Sequence, residues 1–430
     1  MSTTPQEVID RGPMYGRQIM AVTICVFLNA LDGFDVLSIS FASPGIAAEW
    51  QIDRAALGIV LSMELIGMAI GSLLLGPAAD KYGRRPLILA CLVVMTLGMY
   101  TVAIADSVIE LSIYRFVTGI GIGGMLAAIN AMTAEYANEK YRHLCVIIMA
   151  GGYPLGAIVG GAIVSELMIS YDWRVVFYVG AVMTVLFIPL VYFLLPESVA
   201  YLTQRNSMNA LDEANQLLKR LGHAAASILP TQLPKSSIAE LFTPRLRRTT
   251  ILLTVAYFAH IMTFYFILKW VPKLVVDMGF HPSEAGGVLV WANVGGLLGC
   301  VALGLLSRKY SVRVLVMSVL VGATIMVAYF GRGQDNLTEL AVVAGVAGFF
   351  TNGAIVGLYA IFAHVFPTNV RAGGTGFVIG LGRGGAALSP IVAGIMFSLS
   401  YGLGEVALLM ALGSVVAIVA LGFLKEPRQS

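Results

Sequence analysis

The run Asn29-Ala30-Leu31-Asp32-Gly33-Phe34-Asp35 lies in the middle of an apolar stretch, residues 20–41, that is long enough to cross a lipid bilayer. A carboxylate in the hydrocarbon core costs at least about 2.5 kcal/mol, and this stretch carries two of them. Because the two aspartates are three residues apart, they share one face of a helix. We therefore expect that face to meet a polar cavity, another helix or a proton pathway rather than lipid.

The composition of the whole chain also indicates a membrane protein. Of the 430 residues, 58% are hydrophobic and 12% are charged, whereas soluble domains carry about 25% charged residues. The net charge of +3 comes from short islands between apolar segments, so we expect no nucleic-acid partner. The four cysteines lie in apolar segments, and neither a disulfide nor a metal cluster is expected. With no nucleophile triad, metal set or phosphate loop in the sequence, we expect neither an enzyme nor a bound cofactor.

Twelve apolar segments are long enough to span a bilayer. A polar linker, residues 196–248, divides them six and six. The sequence therefore predicts an all-α integral membrane protein with two six-helix bundles, residues 1–195 and 249–430. Within the linker, residues 208–221 have the pattern of a short amphipathic helix on the membrane surface. The predicted spans are residues 18–42, 56–79, 87–106, 109–132, 144–168, 174–195, 249–271, 284–307, 312–331, 338–363, 373–398 and 403–424.

The distribution of lysine and arginine predicts the orientation in the membrane. With both termini in the cytoplasm, the cytoplasmic loops and tails hold about 20 of the 27 basic residues and the external loops about four. The three that remain, Arg115, Lys269 and Arg383, lie inside predicted spans.

The two halves of the sequence repeat each other. Residues 76–85, Gly-Pro-Ala-Ala-Asp-Lys-Tyr-Gly-Arg-Arg, follow the second span, and residues 304–313, Gly-Leu-Leu-Ser-Arg-Lys-Tyr-Ser-Val-Arg, follow the eighth in the same register. Arg142 after the fourth span likewise corresponds to Arg371 after the tenth. Paired halves of this kind are typical of transporters whose substrate site lies between them, near the middle of the membrane.

Several motifs resemble those of the major facilitator superfamily. They are Gly76-x-x-x-Asp80-Lys81-x-Gly83-Arg84-Arg85 between spans two and three, Arg115-Phe116-x-x-Gly119-Ile120-Gly121 in span four, and Pro196-Glu197-Ser198 after span six. The run Asp32-Gly33-Phe34-Asp35 is similar to the span-one signature of the aromatic acid:proton symporters. This resemblance implies a bacterial inner-membrane protein that imports benzoate-type acids or, as in some members, muconate. The glycine-rich residues 151–156 also fit a close-packing helix of this superfamily.

Two features depart from that pattern. Arg308 stands in the second copy of the loop motif where the first has Asp80, so we expect the cytoplasmic lock to be asymmetric. Lys269 is a less usual residue in the symporters that the chain resembles, which favours a dicarboxylate substrate as the alternative.

The positions of Asp32, Asp35 and Arg115 along their helices place charges of opposite sign at the same depth in the membrane. At about 1.5 Å per residue, Asp32 and Asp35 lie roughly 20–25 Å from the cytoplasmic start of span one, and Arg115 lies about 10 Å from the external start of span four. We expect the two aspartates, Asp35 above all, to carry the coupling proton and Arg115 to tune them. The alternative is a structural ion pair between spans one and four.

The remaining intramembrane cations are candidates for binding an anion. Arg383 lies near the middle of span eleven among glycines, where its guanidinium can bind a carboxylate with two hydrogen bonds; a charge partner on another span is the alternative. Lys269 either extends to the membrane interface or supplies a second cation for a dicarboxylate. The side chains expected to form an aromatic wall with polar groups around the substrate are Tyr265, Trp291 and Asn293.

Two further polar residues lie inside spans. Glu64 in span two is either a secondary proton relay or a partner for Arg115 or Lys269. His260 in span seven occupies the repeat position of Asp32 and is expected to be a hydrogen-bonded core residue.

A second charged cluster is expected at the cytoplasmic face. There Glu135 can pair with loop arginines, and Asp80 can cap the positive amino end of the span-eleven helix. These contacts would close the inner gate, and breaking them would let the halves rock. The residues assigned to this gate are Asp80, Arg84, Arg85, Glu135 and Arg142.

The sequence thus predicts a proton-coupled symporter that imports an organic acid anion, most consistently an aromatic carboxylate, by alternating access. We expect its partners to be that anion, protons and the lipid bilayer, and we expect a monomer. A muconate-like dicarboxylate symporter, a proton-antiport efflux pump and a non-transporting receptor remain alternatives.

Overall fold

The computed structural model describes residues 3–204, 209–230, 238–307, 309–367 and 370–424. Over these ranges the chain forms fifteen α-helices and one 3₁₀ helix, Ile238–Phe242, and no strand. The α-helices are α1 Pro5–Arg11, α2 Gly16–Trp50, α3 Arg54–Tyr82, α4 Arg84–Ala103, α5 Val108–Tyr136, α6 Arg142–Leu167, α7 Arg174–Leu194, α8 Val199–Gln204, α9 Ala210–Leu221, α10 Arg247–Asp277, α11 Pro282–Leu306, α12 Val312–Phe330, α13 Leu337–Val365, α14 Arg371–Ser398 and α15 Leu403–Gly422.

Twelve of the described helices, α2–α7 and α10–α15, are long and apolar enough to span a membrane. This confirms the predicted number of spans and the all-α fold. The first span is longer than predicted, because α2 continues through Pro44 to Trp50 and ends where Gln51 adopts a left-handed conformation with φ of 49°. Neighbouring helices can satisfy the backbone groups that a proline leaves free in a membrane helix.

The helices of each half pack in the same pattern. In the first half α3 packs on α5, α2 on α6 and α4 on both α5 and α7. The second half repeats this arrangement with α11 on α13, α10 on α14 and α12 on both α13 and α15. The halves then meet through two symmetry-related pairs, α3 with α14 and α6 with α11. We call α2–α7 the N-half and α10–α15 the C-half.

The predicted amphipathic helix of the linker is present as α9, and its apolar face packs on protein. Its apolar residues Ala214, Leu217, Leu218 and Leu221 are buried, and it contacts α1, α2 and α8. Arg17 at the start of α2 donates a hydrogen bond of 2.8 Å to the carbonyl of Arg220. The helix begins at Ala210, and Met208 lies outside the described residues. The start of α2 therefore lies on the side of the membrane that holds the linker, which we call the linker side; the opposite side is the far side.

Glycines let α2 and α6 approach closely beside the aspartate pair. A Cβ atom on Gly33 would lie 1.9 Å from the carbonyl oxygen of Tyr153, and one on Gly156 would lie 1.7 Å from that of Ala30. Small residues at such contacts are what allow membrane helices to pack backbone to backbone. The glycine between the two aspartates thus fixes α2 against α6, and the predicted close-packing role of residues 151–156 is confirmed.

We expect Gly156→Ala to destabilise the protein, because the added methyl group would overlap the α2 backbone. Overpacking of this kind costs about 1–3 kcal/mol. The measurement is the thermal unfolding midpoint of the purified protein in detergent, with Gly287→Ala as the matched control. Nothing lies within 4 Å of a Cβ atom at Gly287, so its midpoint should stay unchanged or rise slightly. Equal midpoints for the two variants would contradict the close packing.

Candidate functional site

Among the described residues, six charged side chains from both halves lie deep inside the spans. Five of them are essentially inaccessible, with exposed fractions of 0–1%, and the sixth, Arg383, is partly buried. Three are acidic and three are basic, so the set is neutral when every member is ionised. The six residues are Asp32, Asp35, Glu64, Arg115, Lys269 and Arg383.

Arg115 on α5 pairs with Glu64 on α3 rather than with either aspartate carboxylate. Its guanidinium forms an ion pair with Glu64 Oε2 and donates a 2.9 Å hydrogen bond to the backbone carbonyl of Asp35. The same group lies 5.6 Å from the ring centre of Phe177 on α7. The alternative of a structural ion pair between spans one and four is therefore corrected, because the charge partner of Arg115 is Glu64. Arg115 holds the α2 backbone at Asp35 and lies close enough to act electrostatically on the Asp35 carboxyl, so its tuning role stays a prediction.

Lys269 on α10 reaches across from the C-half to the N-half. Its ammonium donates to the carbonyl of Val36 on α2 and lies 3.5 Å from Glu64 Oε2. The side chain is fully buried, so it does not extend to the membrane interface. Glu64 Oε2 is thus shared by one cation from each half. Arg115 and Lys269, the two partners that the sequence offered for Glu64, both interact with it.

The carboxylates of Asp32 and Asp35 lack partners. Neither oxygen of either side chain has a hydrogen-bond partner among the described residues, although both side chains are buried. Burying an ionised carboxylate has a large desolvation cost, and no hydrogen bond from the described residues offsets it here. A Cβ atom at Gly180 on α7 would lie 3.5 Å from Asp35 Oδ1, which places Asp35 inside the N-half.

Arg383 on α14 has no hydrogen bond or ion pair within the described residues, so the alternative of a fixed charge partner is not realised there. It lies close enough to interact electrostatically with Asp32 across the interface between the halves. Its other electrostatic neighbours are Tyr257, Tyr265 and Tyr359. The hydroxyls of Tyr257 and Tyr359 are 2.9 Å apart. A guanidinium without a hydrogen bond or ion pair among the described residues therefore lies near three tyrosines and the unpartnered Asp32 carboxyl.

Not all of the glycines around Arg383 leave room for a ligand. A Cβ atom on Gly382 would lie 2.0 Å from the Tyr257 ring, and one on Gly385 would lie 2.4 Å from the carbonyl of Phe258. These two glycines hold α14 against α10. Gly380, one turn toward the linker side, has no neighbour within 4 Å and borders open space.

Three other polar or aromatic candidates lie apart from this cluster. Trp291 is 57% exposed and shares a stripe of α11 with the exposed Leu298 and Val301, so it faces outward and does not line an internal site. Asn293 is buried but donates to the Leu289 carbonyl of its own helix at 2.9 Å. His260 is hydrogen bonded through both ring nitrogens, to Ser414 and to the Thr351 carbonyl, as expected for a core histidine.

The two halves are joined at mid-membrane and toward the far side. Besides the contacts of Lys269, Arg54 pairs with Asp277 at 2.9 Å, and the backbone N–H of Ala55 donates to Ser398 Oγ at 2.9 Å. Helices α3 and α14 also approach closely there: a Cβ atom on Gly58 would lie 2.4 Å from the Pro390 carbonyl. The far side is therefore closed.

On the linker side a charged network lies within the N-half. Arg84 pairs with Glu135 and, at 3.2 Å, with Asp80, while Glu135 also accepts a hydrogen bond from Ser198. Asp80 remains 44% exposed. The side chains of the first residues of α14 lie outside the described set, so a cap by Asp80 on that helix stays a prediction.

The other two gate arginines have different partners from those expected. Arg142 pairs with Asp10 on α1 instead of Glu135, and Arg85 donates to the Tyr192 carbonyl. Glu197 accepts hydrogen bonds from the backbone N–H groups of Arg84 and Arg85 at 3.0 and 3.3 Å. Burial raises the pKa of Glu197, although these N–H groups oppose the shift. Sequence reasoning did not identify the roles of Asp10, Glu197 and Ser198; the Pro196-Glu197-Ser198 motif was the available signal.

We expect Arg115→Ala and Arg383→Ala to separate a structural cation from a free one. Removing Arg115 breaks the buried ion pair of Glu64, which keeps only Lys269 at 3.5 Å, and removes one donor from the Asp35 carbonyl; breaking a buried ion pair costs up to about 3–5 kcal/mol. Removing Arg383 breaks no polar contact of the described residues. Thermal unfolding in detergent should show a clear loss of stability for Arg115→Ala and little change for Arg383→Ala; the reverse order would contradict these assignments.

Comparison with known proteins agrees with this architecture. The family model described as Major Facilitator Superfamily matches residues 22–333. The chain is 31% identical to the gallate transporter of Pseudomonas putida, over 96% of this chain and 93% of that protein. It is 29% identical to the 4-hydroxybenzoate transporter PcaK of the same species, over 96% and 94% of the two chains.

Among solved structures, the fold is similar to that of a D-xylose-proton symporter, with a TM-score of 0.75 and 17% identity over 96% of this chain and 99% of that one. The inward open conformation of the xylose transporter XylE from E. coli gives a TM-score of 0.74 with 16% identity, over 96% and 98%. These likenesses show the fold alone. The family and the relatives are transporters, which confirms the expectation that the chain is not an enzyme. With its family-model match and twelve spanning helices, the chain belongs to the Major Facilitator Superfamily.

Proposed function

We propose that this protein is a proton-coupled symporter that imports an aromatic carboxylate across the bacterial inner membrane by alternating access. In this proposal it acts as a monomer with both termini in the cytoplasm, so the linker side is the cytoplasmic side. The observation that carries the proposal is the unpaired guanidinium of Arg383 at the interface between the halves, with the unpartnered carboxyl of Asp32 across from it.

Arg383 is the proposed anchor for the substrate carboxylate. A guanidinium binds a carboxylate through two parallel hydrogen bonds, and here no protein group among the described residues forms a hydrogen bond or an ion pair with it. Tyr257, Tyr265 and Tyr359 supply rings against which an aromatic substrate can pack and hydroxyls that can bind ring substituents. The relatives support this class, since gallate and 4-hydroxybenzoate both denote an aromatic ring with one carboxylate.

Asp32 and Asp35 are the proposed carriers of the coupling proton. In the far-side-closed conformation their carboxyls are buried without partners, which favours the protonated form. Water that reaches them in another conformation would favour release of the proton. A proton on Asp32 also removes a negative charge that would otherwise compete with the substrate for Arg383. Substrate anion and proton therefore stabilise each other's binding.

Alternating access requires the far-side contacts to break. Arg54–Asp277, Ala55–Ser398 and the contacts of Lys269 join the halves in this conformation. Opening toward the far side would separate them, while Asp80, Arg84 and Glu135 would close the linker side. Exposed pairs such as Arg54–Asp277 contribute only about 0–1 kcal/mol, so this part of the gate is easily reversed.

We expect Asp35→Asn to abolish accumulation against a gradient while exchange of substrate across the membrane continues. Asparagine keeps the size of the side chain but cannot carry the proton. The measurement compares uptake driven by a pH gradient with counterflow at equal pH, in liposomes that contain the purified protein. Accumulation equal to that of the wild type would exclude Asp35 as an essential proton carrier.

The same liposomes test the function itself. Uptake of an aromatic carboxylate by the wild type should be accompanied by proton uptake, reported by a pH indicator inside the vesicles. Binding without uptake would indicate a receptor, and outward movement of substrate in exchange for protons would indicate an efflux pump.

A further inference from the structure

We propose that Glu64 determines the substrate class by occupying Lys269, so that the site accepts aromatic monocarboxylates and disfavours dicarboxylates. This inference rests on the proposed function and deepens it. Among the described residues, the Glu64 carboxylate occupies the position next to Lys269 that a second substrate carboxylate would need.

The contacts of Lys269 leave it unavailable to an anion in this conformation. Its ammonium has the Glu64 carboxylate at 3.5 Å and the Val36 carbonyl as partners, and the side chain has no exposed surface. Arg115, the other cation beside Glu64, is equally buried and also binds the Asp35 carbonyl. Among the three cations inside the spans, Arg383 is therefore the one that has no partner in the described residues.

The position of Lys269 makes it the natural site for a second carboxylate. It lies four residues beyond Tyr265 on α10, one helical turn or about 6 Å farther toward the far side. Tyr265 interacts electrostatically with Arg383. A ring that packs against Tyr265 with one carboxylate on Arg383 can direct an opposite carboxylate toward Lys269.

Glu64 would reject such a substrate in two ways. The second carboxylate would have to displace Glu64 from Lys269, and it would then lie beside a like charge in a buried setting. A monocarboxylate meets neither obstacle. Selection against one class by a built-in repulsive group is a common route to specificity.

A purely structural role for Glu64 predicts a different outcome. If the carboxylate only holds the two halves together, substituting it changes stability or the rate of transport for every substrate alike. A role in specificity changes the ratio between two substrates. That ratio is therefore the quantity to measure.

The experiment uses the full-length protein in liposomes. Uptake of the best transported acid among benzoate, 4-hydroxybenzoate and gallate is measured with terephthalate as competitor. For the wild type we expect terephthalate to compete weakly. For Glu64→Gln, which keeps an acceptor for Arg115 but removes the negative charge opposite the Lys269 ammonium, we expect terephthalate to compete about tenfold more strongly, the scale of one hydrogen bond between charged groups.

The double variant Glu64→Gln with Lys269→Met is the matched control, and the gain should disappear in it. An unchanged ratio in Glu64→Gln, or a gain that persists in the double variant, would overturn the inference. If Glu64→Gln does not fold, the wild type alone can still overturn the inference. It does so if terephthalate inhibits uptake as strongly as an unlabelled monocarboxylate does. Failure of the wild type to transport any of the three monocarboxylates would instead contradict the proposed function.

Discussion

One carboxylate oxygen, Oε2 of Glu64, joins the two halves of this protein inside the membrane. It binds Arg115 of the N-half and faces Lys269 of the C-half, and all three side chains are fully buried. A charge in hydrocarbon must be paired or neutralised, so neither cation can leave Glu64 without finding another partner or water. The contacts that join the halves on the far side depend on this constraint. It also determines which charged groups are left to bind the substrate and the proton.

With Arg115 and Lys269 held by Glu64, the remaining charges take complementary roles. Arg383 has no partner among the described residues, and neither do the carboxyls of Asp32 and Asp35. The unpartnered cation suits an anion, and the unpartnered acids suit protons. In the proposed mechanism both ligands arrive together because each reduces the electrostatic cost of the other. The far side closes over them through α3 with α14, where glycines allow the backbones to meet.

The sequence predicted the fold well because its signals are local. Segment length, the spacing of basic residues and the repeated loop motif depend on neighbours in the chain. These signals were sufficient to predict the twelve spanning helices. The partners of charged side chains depend on how helices rotate and pack, which the sequence does not contain. Arg115 lies beside Asp35, as expected, but its ion pair is with Glu64; Arg142 pairs with Asp10, and Lys269 reaches across to the other half. Trp291 shows the same limit, since its side of α11 faces outward.

The central claim is that substrate anion and proton bind together between the halves. Its most direct test is to add an aromatic monocarboxylate to the purified protein in weakly buffered detergent solution and to follow the pH with an indicator. The account predicts that binding takes up protons from solution, and that Asp32→Asn with Asp35→Asn removes this uptake. Saturable binding with no proton uptake by the wild type, or the same uptake by the double variant, would contradict it.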